Sequence, residues 1–417
     1  MPKGNVIPEL HLSTLNKLIE KAQTPPSMVL SNKFPVSNAL SDTIEWESRY
    51  GSAGMIPFVA RGSRGPSFGD DGVGKHSMKP AYFAQSKFFG EEFLNNLREP
   101  GTAQAKRSGQ AEIARASQRM LYGVRKRREF MFAKMLFDGS MDYHIKATSK
   151  APEFASVSWG IPTSHQVTLG ATARWYGSSS EIADRDVFGD VFDAKNTMQD
   201  SLEMETMGLE AYMNSRLLQS LIKDSGIRDL AQTQNISEAQ LVNNAPGALA
   251  QILGFGSVNV YDAAYPVSSP LAQSYTSGTT IYVVDPSDFV VGGDVWIKNS
   301  VDGAAGPRSK ITAVNHETGA ITLSAALTGA TGVAFKSQLM MRKFYLDSNK
   351  IVFMVPKVDG QPVAEMMQAP HGIPSTYGIR MRSFIKEAPD GVELYTEDLC
   401  LPVLYYPASV YQLTVGL

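Results

Sequence analysis

The stretch "GDDGVGKHS", which begins at Gly69, has residue types and spacing close to those of a phosphate-binding loop. Gly69, Gly74 and Lys75 match the pattern G-x-x-x-x-G-K-[ST], in which backbone N–H groups and a lysine hold nucleotide phosphates. His76 stands where the pattern requires a hydroxyl for the metal, and Pro80 would interrupt the helix that must follow. We therefore expect a flexible glycine-rich surface loop here and no nucleotide site.

Other residue types that could perform chemistry lack a productive spacing. The six histidines are scattered without metal-ligand spacing, and no G-x-S-x-G nucleophile motif occurs. Cys400 lies in the apolar run "LCLPVLYY", where burial raises a thiol pKa and makes the thiol unreactive. Acidic neighbours such as Glu203 and Glu205, or Glu397 and Asp398, are typical of solvated surfaces. The sequence predicts no catalytic residue, no metal site, no cofactor and no enzymatic activity.

The composition is that of a globular chain with two or three structural units. Its 417 residues are 43% hydrophobic and 19% charged, with a net charge of −2, so no overall field attracts nucleic acid or an anionic membrane. One cysteine permits no internal disulfide, which is typical of a reducing cytoplasm. No signal-peptide pattern or long apolar run occurs, and we expect neither secretion by a signal peptide nor a membrane span.

The segment 51–74 combines seven glycines with several apolar side chains: Met55, Ile56, Phe58, Val59 and Phe68. A loop of this length is uncommon inside a compact domain and is usually functional or disordered. Disordered segments are poor in apolar residues. We therefore expect another copy of the same chain to cover these side chains.

Apolar residues recur at helical spacing from Ser108 to Phe137, and Gly139 ends the pattern. The basic stretch "RKRRE", Arg125 to Glu129, lies on this long helix. It could contact phosphates, and a nucleic-acid-binding structural protein using residues 125–128 is the alternative function. A solvated face, or arginines pairing with carboxylates of a neighbouring chain, is favoured because no aromatic residues interleave for base stacking. Arg128 falls on the apolar stripe and requires a partner.

The second half of the chain changes from mixed to β-rich. Helices are expected over 184–197 and 209–223. Between residues 277 and 335 the strands "TIYVV", "DVWIK", "KITAV" and "AITLS" are separated by glycine-rich turns, typical of a small all-β barrel or sandwich. We expect this module to fold as a unit over 272–336 with its ends close together.

The order of these pieces resembles the lambda-type major capsid protein family of tailed phages, the protein E family. The resemblance rests on ordered stretches that span nearly the whole chain: "TIEWESRYGSAGMIPFVARGSRGP", "KPAYF", "RKRREFMFAKMLFDG", "VSWGIPTSHQVTLGATARWY", "MGLEAYMNSRLLQSLIKDSGIRDL", "VNVYDAAY", "NKIVFMVP" and "LPVLYYPASVYQLTV". The β-rich module is a departure, because the plain family pattern lacks it.

The resemblance implies an α+β fold, the tailed-phage capsid shell fold of the Hong Kong 97 type with an additional inserted all-β domain. The implied parts are an N-terminal arm (1–40), an extended loop with flanking strands (41–100), the spine helix with peripheral-domain strands (101–183), an axial domain (184–271), the inserted barrel-like domain (272–336) and C-terminal axial and peripheral strands (337–417).

The resemblance also implies a function and partners. The chain would be a major capsid protein that builds hexamers and pentamers of an icosahedral head around double-stranded DNA, without sequence-specific DNA contacts and without a membrane. Implied partners are further copies, a portal protein, a separate scaffolding protein and a decoration protein, with assembly in the host cytoplasm and the virion as destination. We expect inter-subunit contacts at seven residues: Met55, Ile56, Phe58, Phe68, Arg125, Arg127 and Arg128.

Overall fold

The architecture is that of a computed structural model. It describes residues 28–49, 73–93, 103–146, 153–176, 181–203, 208–234, 236–275, 277–286, 289, 293–298, 305–315, 318–327, 337–372, 375–387 and 390–416. The chain divides into two compact units. Unit 1 comprises Met1–Tyr261 and Ser348–Leu417, and unit 2 comprises Asp262–Asp347.

Unit 1 contains the helices of the described ranges. They are α1 (Val29–Lys33), α2 (Ala103–Ala133), α3 (Val187–Leu202), α4 (Ser215–Ile222), α5 (Ser225–Thr233), α6 (Glu238–Asn243) and α7 (Ala245–Leu253). A π-helical turn over Lys134–Asp138 prolongs α2, and Gly139 ends it with a left-handed backbone at φ 74°. This conformation suits glycine because glycine has no Cβ atom. The long helix expected from the spacing of apolar residues is therefore confirmed.

Strands occur in both units. They are β1 (Val36–Asn38), β2 (Ile44–Arg49), β3 (Val73–Met78), β4 (Ala81–Gly90), β5 (Ser140–Lys146), β6 (Glu153–Ser158), β7 (Gln166–Thr168), β8 (Glu210–Met213), β9 (Ser257–Val260), β10 (Ala264–Pro270), β11 (Thr280–Tyr282), β12 (Asp294–Lys298), β13 (Ala305–Asn315), β14 (Ala320–Leu323), β15 (Gln338–Phe344), β16 (Lys350–Met354), β17 (Lys357–Val358), β18 (Gln361–Pro362), β19 (Ala364–Gln368), β20 (Arg380–Glu387), β21 (Asp390–Leu404) and β22 (Val410–Thr414).

Two five-stranded sheets organise unit 1. The first, called here the helix-backed sheet, has the order β1-β19-β21-β20, with β4 also paired to β21. The second has the order β7-β22-β16-β8-β9. One face of the helix-backed sheet packs on α2 through a buried apolar cluster formed by Phe89, Ile113, Met120, Leu121, Met381, Val392 and Leu394. The long helix and strand β21 therefore share one core.

The helix expected over 209–223 is wrong in its first turn. Residues Glu210–Met213 form β8, which pairs antiparallel with β16 and parallel with β9. Ala211, Tyr212 and Met213 are all buried there, as is typical of a strand inside a sheet. The Asn214 side chain then accepts a hydrogen bond from the Arg216 N–H and begins α4. Pairing with distant strands overrides the local helical spacing.

Unit 2 is an antiparallel sheet with the order β10-β15-β12-β13-β14-β11, which includes the four strands expected from the sequence. A bridge between Leu271 and Val283, just beyond β10 and β11, joins the two ends of the sheet into a barrel. The Tyr345 N–H donates to the Ala263 oxygen at 2.9 Å, so the ends of the unit lie side by side. The compact unit is wider than the expected 272–336, because β10 and β15 contribute core residues.

Candidate functional site

The basic stretch of α2 is distributed over different sides of the helix. Lys126 and Arg127 are exposed, and the Arg127 guanidinium lies 5.3 Å from the centre of the Phe130 ring. Arg128 and Glu129 face the interior, where each contacts other elements. Successive residues of an α-helix are about 100° apart, so these residues do not form one continuous basic face. The arrangement does not favour the nucleic-acid-binding alternative.

Arg128 forms a buried ion pair inside the chain. Its Nε and Nη2 atoms donate to the two carboxylate oxygens of Asp398 at 2.7 and 3.0 Å, in the bidentate geometry that guanidinium and carboxylate groups favour. Cys400 Sγ also donates to this carboxylate, at 3.4 Å. Burial, and then the Asp398 charge, raises the pKa of the Cys400 thiol well above its ordinary value. The partner required for Arg128 therefore lies on β21 of the same chain, and Cys400 is buried as the sequence predicted.

Glu129 joins three parts of unit 1. Its carboxylate accepts hydrogen bonds from the Leu30 N–H at 3.0 Å, the Ser31 N–H at 2.7 Å and the Ser31 hydroxyl at 2.6 Å. The Tyr261 hydroxyl donates to it at 2.8 Å. The side chain is buried, and these four donors compensate for its lost hydration. Through this one carboxylate, α1, the long helix and the segment after β9 are held together.

Glu397 forms a second buried carboxylate centre in the helix-backed sheet. The Tyr82 hydroxyl donates to it at 2.9 Å and Arg382 Nη2 at 3.2 Å. Arg380 Nη1 lies at 3.8 Å and His371 Nδ1 at 4.0 Å from its other oxygen. Burial, and then hydrogen bonds to Tyr395 and Glu397, raises the pKa of Tyr82, which keeps its hydroxyl protonated as a donor. The centre links β4, β20 and β21.

The face of the helix-backed sheet that points away from α2 carries exposed aromatic side chains. Phe384, Glu393 and Phe88 stand side by side on β20, β21 and β4. We call this the exposed aromatic face and define it by Tyr82, Phe88 and Phe384, which are 48%, 36% and 41% exposed. The Arg382 guanidinium lies 4.7 Å from the centre of the Phe384 ring. Aromatic and arginine side chains together are typical of protein–protein contact surfaces.

The stretch that resembles a phosphate-binding loop is a β-strand from Val73 onward, and the expected flexible loop is wrong there. β3 pairs with β2, so its backbone groups bond to a neighbouring strand and do not converge on an anion. The His76 ring stacks on Trp46 at 4.9 Å, and His76 Nε2 lies 2.9 Å from the Ser48 hydroxyl. Lys75 is 82% exposed. This strand geometry does not support nucleotide binding.

The expected inter-subunit residues fall into two groups. Met55, Ile56, Phe58 and Phe68 lie outside the described residues. The other three residues are arginines on one turn of α2. Arg127 is exposed, Arg125 is half-buried and Arg128 is paired to Asp398. The structure therefore places the three arginines in three different environments.

Glu397 and Asp398 are buried, so the prediction that they lie on a solvated surface is wrong. The burial of Glu129 was also not predicted from the sequence. A signal was present, because Glu397 and Asp398 interrupt a strand that is otherwise largely apolar, "LYTEDLCLPVL". Buried acids of this kind require charged or hydrogen-bonding partners, although the sequence does not name them.

The described residues show no group of histidine, cysteine or acidic side chains that could hold a metal ion. No helix in these ranges is long and apolar enough to cross a membrane.

Comparison with known proteins relates this architecture to phage shells. The family model described as phage major capsid protein E matches residues 11–286. A phage-related protein from Bordetella bronchiseptica RB50 is 11% identical, with a TM-score of 0.51 over 96% of both chains. A protein assigned as the capsid protein of a prophage in Escherichia coli CFT073 is 10% identical, with a TM-score of 0.52 over 98% of this chain and 99% of its own.

No curated protein sequence matches the chain. The two structural matches show a shared mixed α/β shell fold, as the resemblance implied. The family match covers the long helix, the β2–β3 hairpin and the first strands of unit 2. Its members are structural proteins of the capsid, which does not favour the nucleic-acid-binding alternative. The chain belongs to the phage major capsid protein E family and is a capsid shell protein of a phage.

Proposed function

We propose that the protein assembles with identical copies into the hexamers and pentamers of an icosahedral head, which encloses the double-stranded DNA of a tailed phage. The exposed aromatic face is the observation that carries this proposal. Its opposite side already packs on α2, and large aromatic side chains on the free side of a sheet mark a surface that a partner covers. In a shell, the adjacent surface belongs to another copy.

We extend the proposal to the expected contacts and partners. The loop residues Met55, Ile56, Phe58 and Phe68 would reach a neighbouring subunit, with Arg125 and Arg127 of α2 on a second contact surface. The portal protein, a scaffolding protein and a decoration protein are proposed partners in host-cell assembly. Packaged DNA would contact the shell without sequence preference. The family assignment gives no reason to propose an enzymatic step.

Substitution at Phe384 tests the proposal. Phe384→Glu places a charge in the exposed aromatic face, whereas Phe384→Leu keeps an apolar side chain at the same position. We expect both subunits to fold with near-native circular dichroism, and only the leucine variant to assemble as the wild type does. Electron microscopy and sedimentation measure assembly. Normal shells from folded Phe384→Glu protein would remove this face from the proposal.

A further inference from the structure

The outer surface of the unit 2 barrel carries a cluster of basic residues. Successive residues of β12, β13 and β15 alternate between the barrel core and this outer surface, as residues of a strand do. One indole and four cations stand at outward positions of these strands, and we call them the basic barrel face: Trp296, Lys298, Arg308, Lys310 and Arg342. The four cationic side chains are exposed and therefore accessible to a partner.

Trp296 lies in the middle of the basic barrel face. It stands opposite Arg308 of β13 on one side and opposite Met340 of β15 on the other. The Arg308 guanidinium lies 4.9 Å from the centre of the indole, and the Arg342 guanidinium lies 5.0 Å from the centre of the Phe344 ring. A guanidinium over an aromatic ring can still donate hydrogen bonds in its own plane. Arginine and tryptophan are also the residue types that contribute most to binding at protein interfaces.

The basic barrel face has more positive charge than its own acid compensates. Asp294 stands opposite Lys310 and is the one acidic residue in β12, β13 and β15. Within the part of the chain that the structure describes, no ion pair includes Lys298, Arg308 or Arg342. Like charges on neighbouring strands repel one another, so the cluster adds nothing to the stability of the barrel. A carboxylate-bearing partner would reduce this repulsion.

Helix α3 carries a surface of the opposite charge. Asp186 at its N-cap, Asp193 and Asp200 are exposed and recur every seven residues, so they lie along one side of the helix. Phe192 lies next to Asp193 and is 64% exposed. We call these four residues the acidic side of α3. Burial raises the pKa of Asp190, and the charges of Asp186 and Asp193 raise it further, so negative charge accumulates on this helix without full compensation.

A helix with acids and an exposed ring fits the basic barrel face better than a nucleic acid does. Guanidinium groups bind carboxylates bidentately, and Trp296 offers apolar area to the Phe192 ring. Proteins that bind single strands present aromatic rings to successive bases along a basic groove. Here the cations surround a single indole on three strands, which is the composition of a protein–protein contact.

We propose that the basic barrel face of one copy of this chain contacts the acidic side of α3 of a second copy. The two surfaces differ, so the contact is head-to-tail, and repetition of such a contact can close a ring. This inference rests on the proposed assembly from identical copies and names one contact within it.

Charge reversal tests the contact through the protein concentration at which shells form. We expect Arg308→Glu to raise this concentration by about tenfold or more, which corresponds to about 1.4 kcal/mol, because it opposes acid to acid. Lys357→Glu, the matched control, reverses an exposed charge on β17 and should stay within about twofold of the wild type. Asp193→Lys should weaken assembly alone and restore it in the Arg308→Glu background. Asp229→Lys makes the same change in charge at an exposed position of α5 and should not restore it.

A second variant keeps the test independent of folding. Circular dichroism and thermal unfolding of the unassembled subunits show whether each variant folds. If Arg308→Glu does not fold, Arg342→Glu repeats the reversal at another exposed position of the same face, with the same expected loss and restoration.

Each other outcome contradicts the contact. Equal threshold concentrations for Arg308→Glu and Lys357→Glu would overturn the inference, while the shells themselves would leave the proposed function intact. Failure of Asp193→Lys to restore assembly, or equal restoration by Asp229→Lys, would remove α3 as the partner. Shells of Arg308→Glu that form normally but retain less DNA would assign the face to phosphate groups. A wild-type protein that forms no shells would overturn both the inference and the proposed function.

Discussion

Arg128 and Asp398 form a buried ion pair that joins α2 to strand β21. Their side chains are 13% and 0% exposed, and both carboxylate oxygens of Asp398 are engaged by the guanidinium. Removing one partner leaves the other charge buried without compensation. The pair fixes the helix against the sheet that carries the exposed aromatic face.

Arg128→Ala should lower the free energy of unfolding by about 3–5 kcal/mol, because the Asp398 charge would then be buried alone. The matched control Arg127→Ala should change it by less than about 0.5 kcal/mol, since that side chain is exposed. The combined change Arg128→Met with Asp398→Leu should recover much of the loss. Urea unfolding of the unassembled subunit measures all three. A loss below about 1 kcal/mol for Arg128→Ala would contradict the assigned partner.

We predict from the buried position of His165 that the stability of the protein depends on pH. Its Nδ1–H donates to the Val410 oxygen at 3.0 Å, and its Nε2 lies 2.9 Å from the Ser201 hydroxyl oxygen. The ring is buried. Burial lowers the pKa of His165 below its ordinary value of 6.5. The unfolded chain therefore takes up a proton near pH 6.5 that the folded chain does not, and stability falls as the pH drops below that value.

The measurement compares urea unfolding at pH 7.5 and 5.5 for the wild type and His165→Asn. Asparagine retains a donor for the Val410 oxygen but does not titrate. We expect the free energy of unfolding to fall less between pH 7.5 and 5.5 in the variant than in the wild type. The difference should be at most the contribution of one titrating group. The same acid sensitivity in both proteins would show that His165 is not its source.

At the scale of elements, local patterns predicted α2 and the strands of unit 2 but not β3. The helix follows from apolar residues at three- and four-residue spacing, and the barrel strands from alternation between turns. β3 contains three polar residues and a glycine, and it is held by pairing with β2 and by the stack of His76 on Trp46. Such a strand exists because of its partner, which its own sequence does not reveal.

The partners of the buried charged side chains also could not be predicted from local sequence patterns. The sequence indicated that Arg128 requires a partner, but Asp398 lies 270 positions away. Glu129 meets Leu30 and Tyr261 across 99 and 132 positions. The need for a partner follows from the cost of burying a charge, whereas the identity of the partner depends on the tertiary fold.

The extent of the barrel indicates which residues must be removed together. The core of unit 2 includes Val267 on β10 together with Leu339 and Met341 on β15. Replacing Asp262–Asp347 by a short Gly-Ser linker should leave unit 1 folded, because the two ends of unit 2 lie side by side. Replacing only 277–335 should expose those three apolar side chains and cause aggregation. Circular dichroism and light scattering check both variants. A soluble, folded protein from the shorter replacement and an unfolded one from the longer would contradict these boundaries.

Considered as a whole, the molecule is proposed to build a closed shell from identical copies of this chain. The family assignment and the shared fold place the protein among phage capsid proteins. We propose that the exposed aromatic face is a surface that neighbouring copies contact. The buried centres at Glu129, Asp398 and Glu397 join the elements of unit 1.

Negative-stain electron microscopy of the purified full-length protein, across a range of concentrations and with nuclease treatment to remove nucleic acid, tests this claim most directly. We predict closed particles of uniform diameter that form above a threshold concentration and persist without DNA. A protein that stays monomeric at every concentration, or that forms complexes only while DNA is present, would contradict the account.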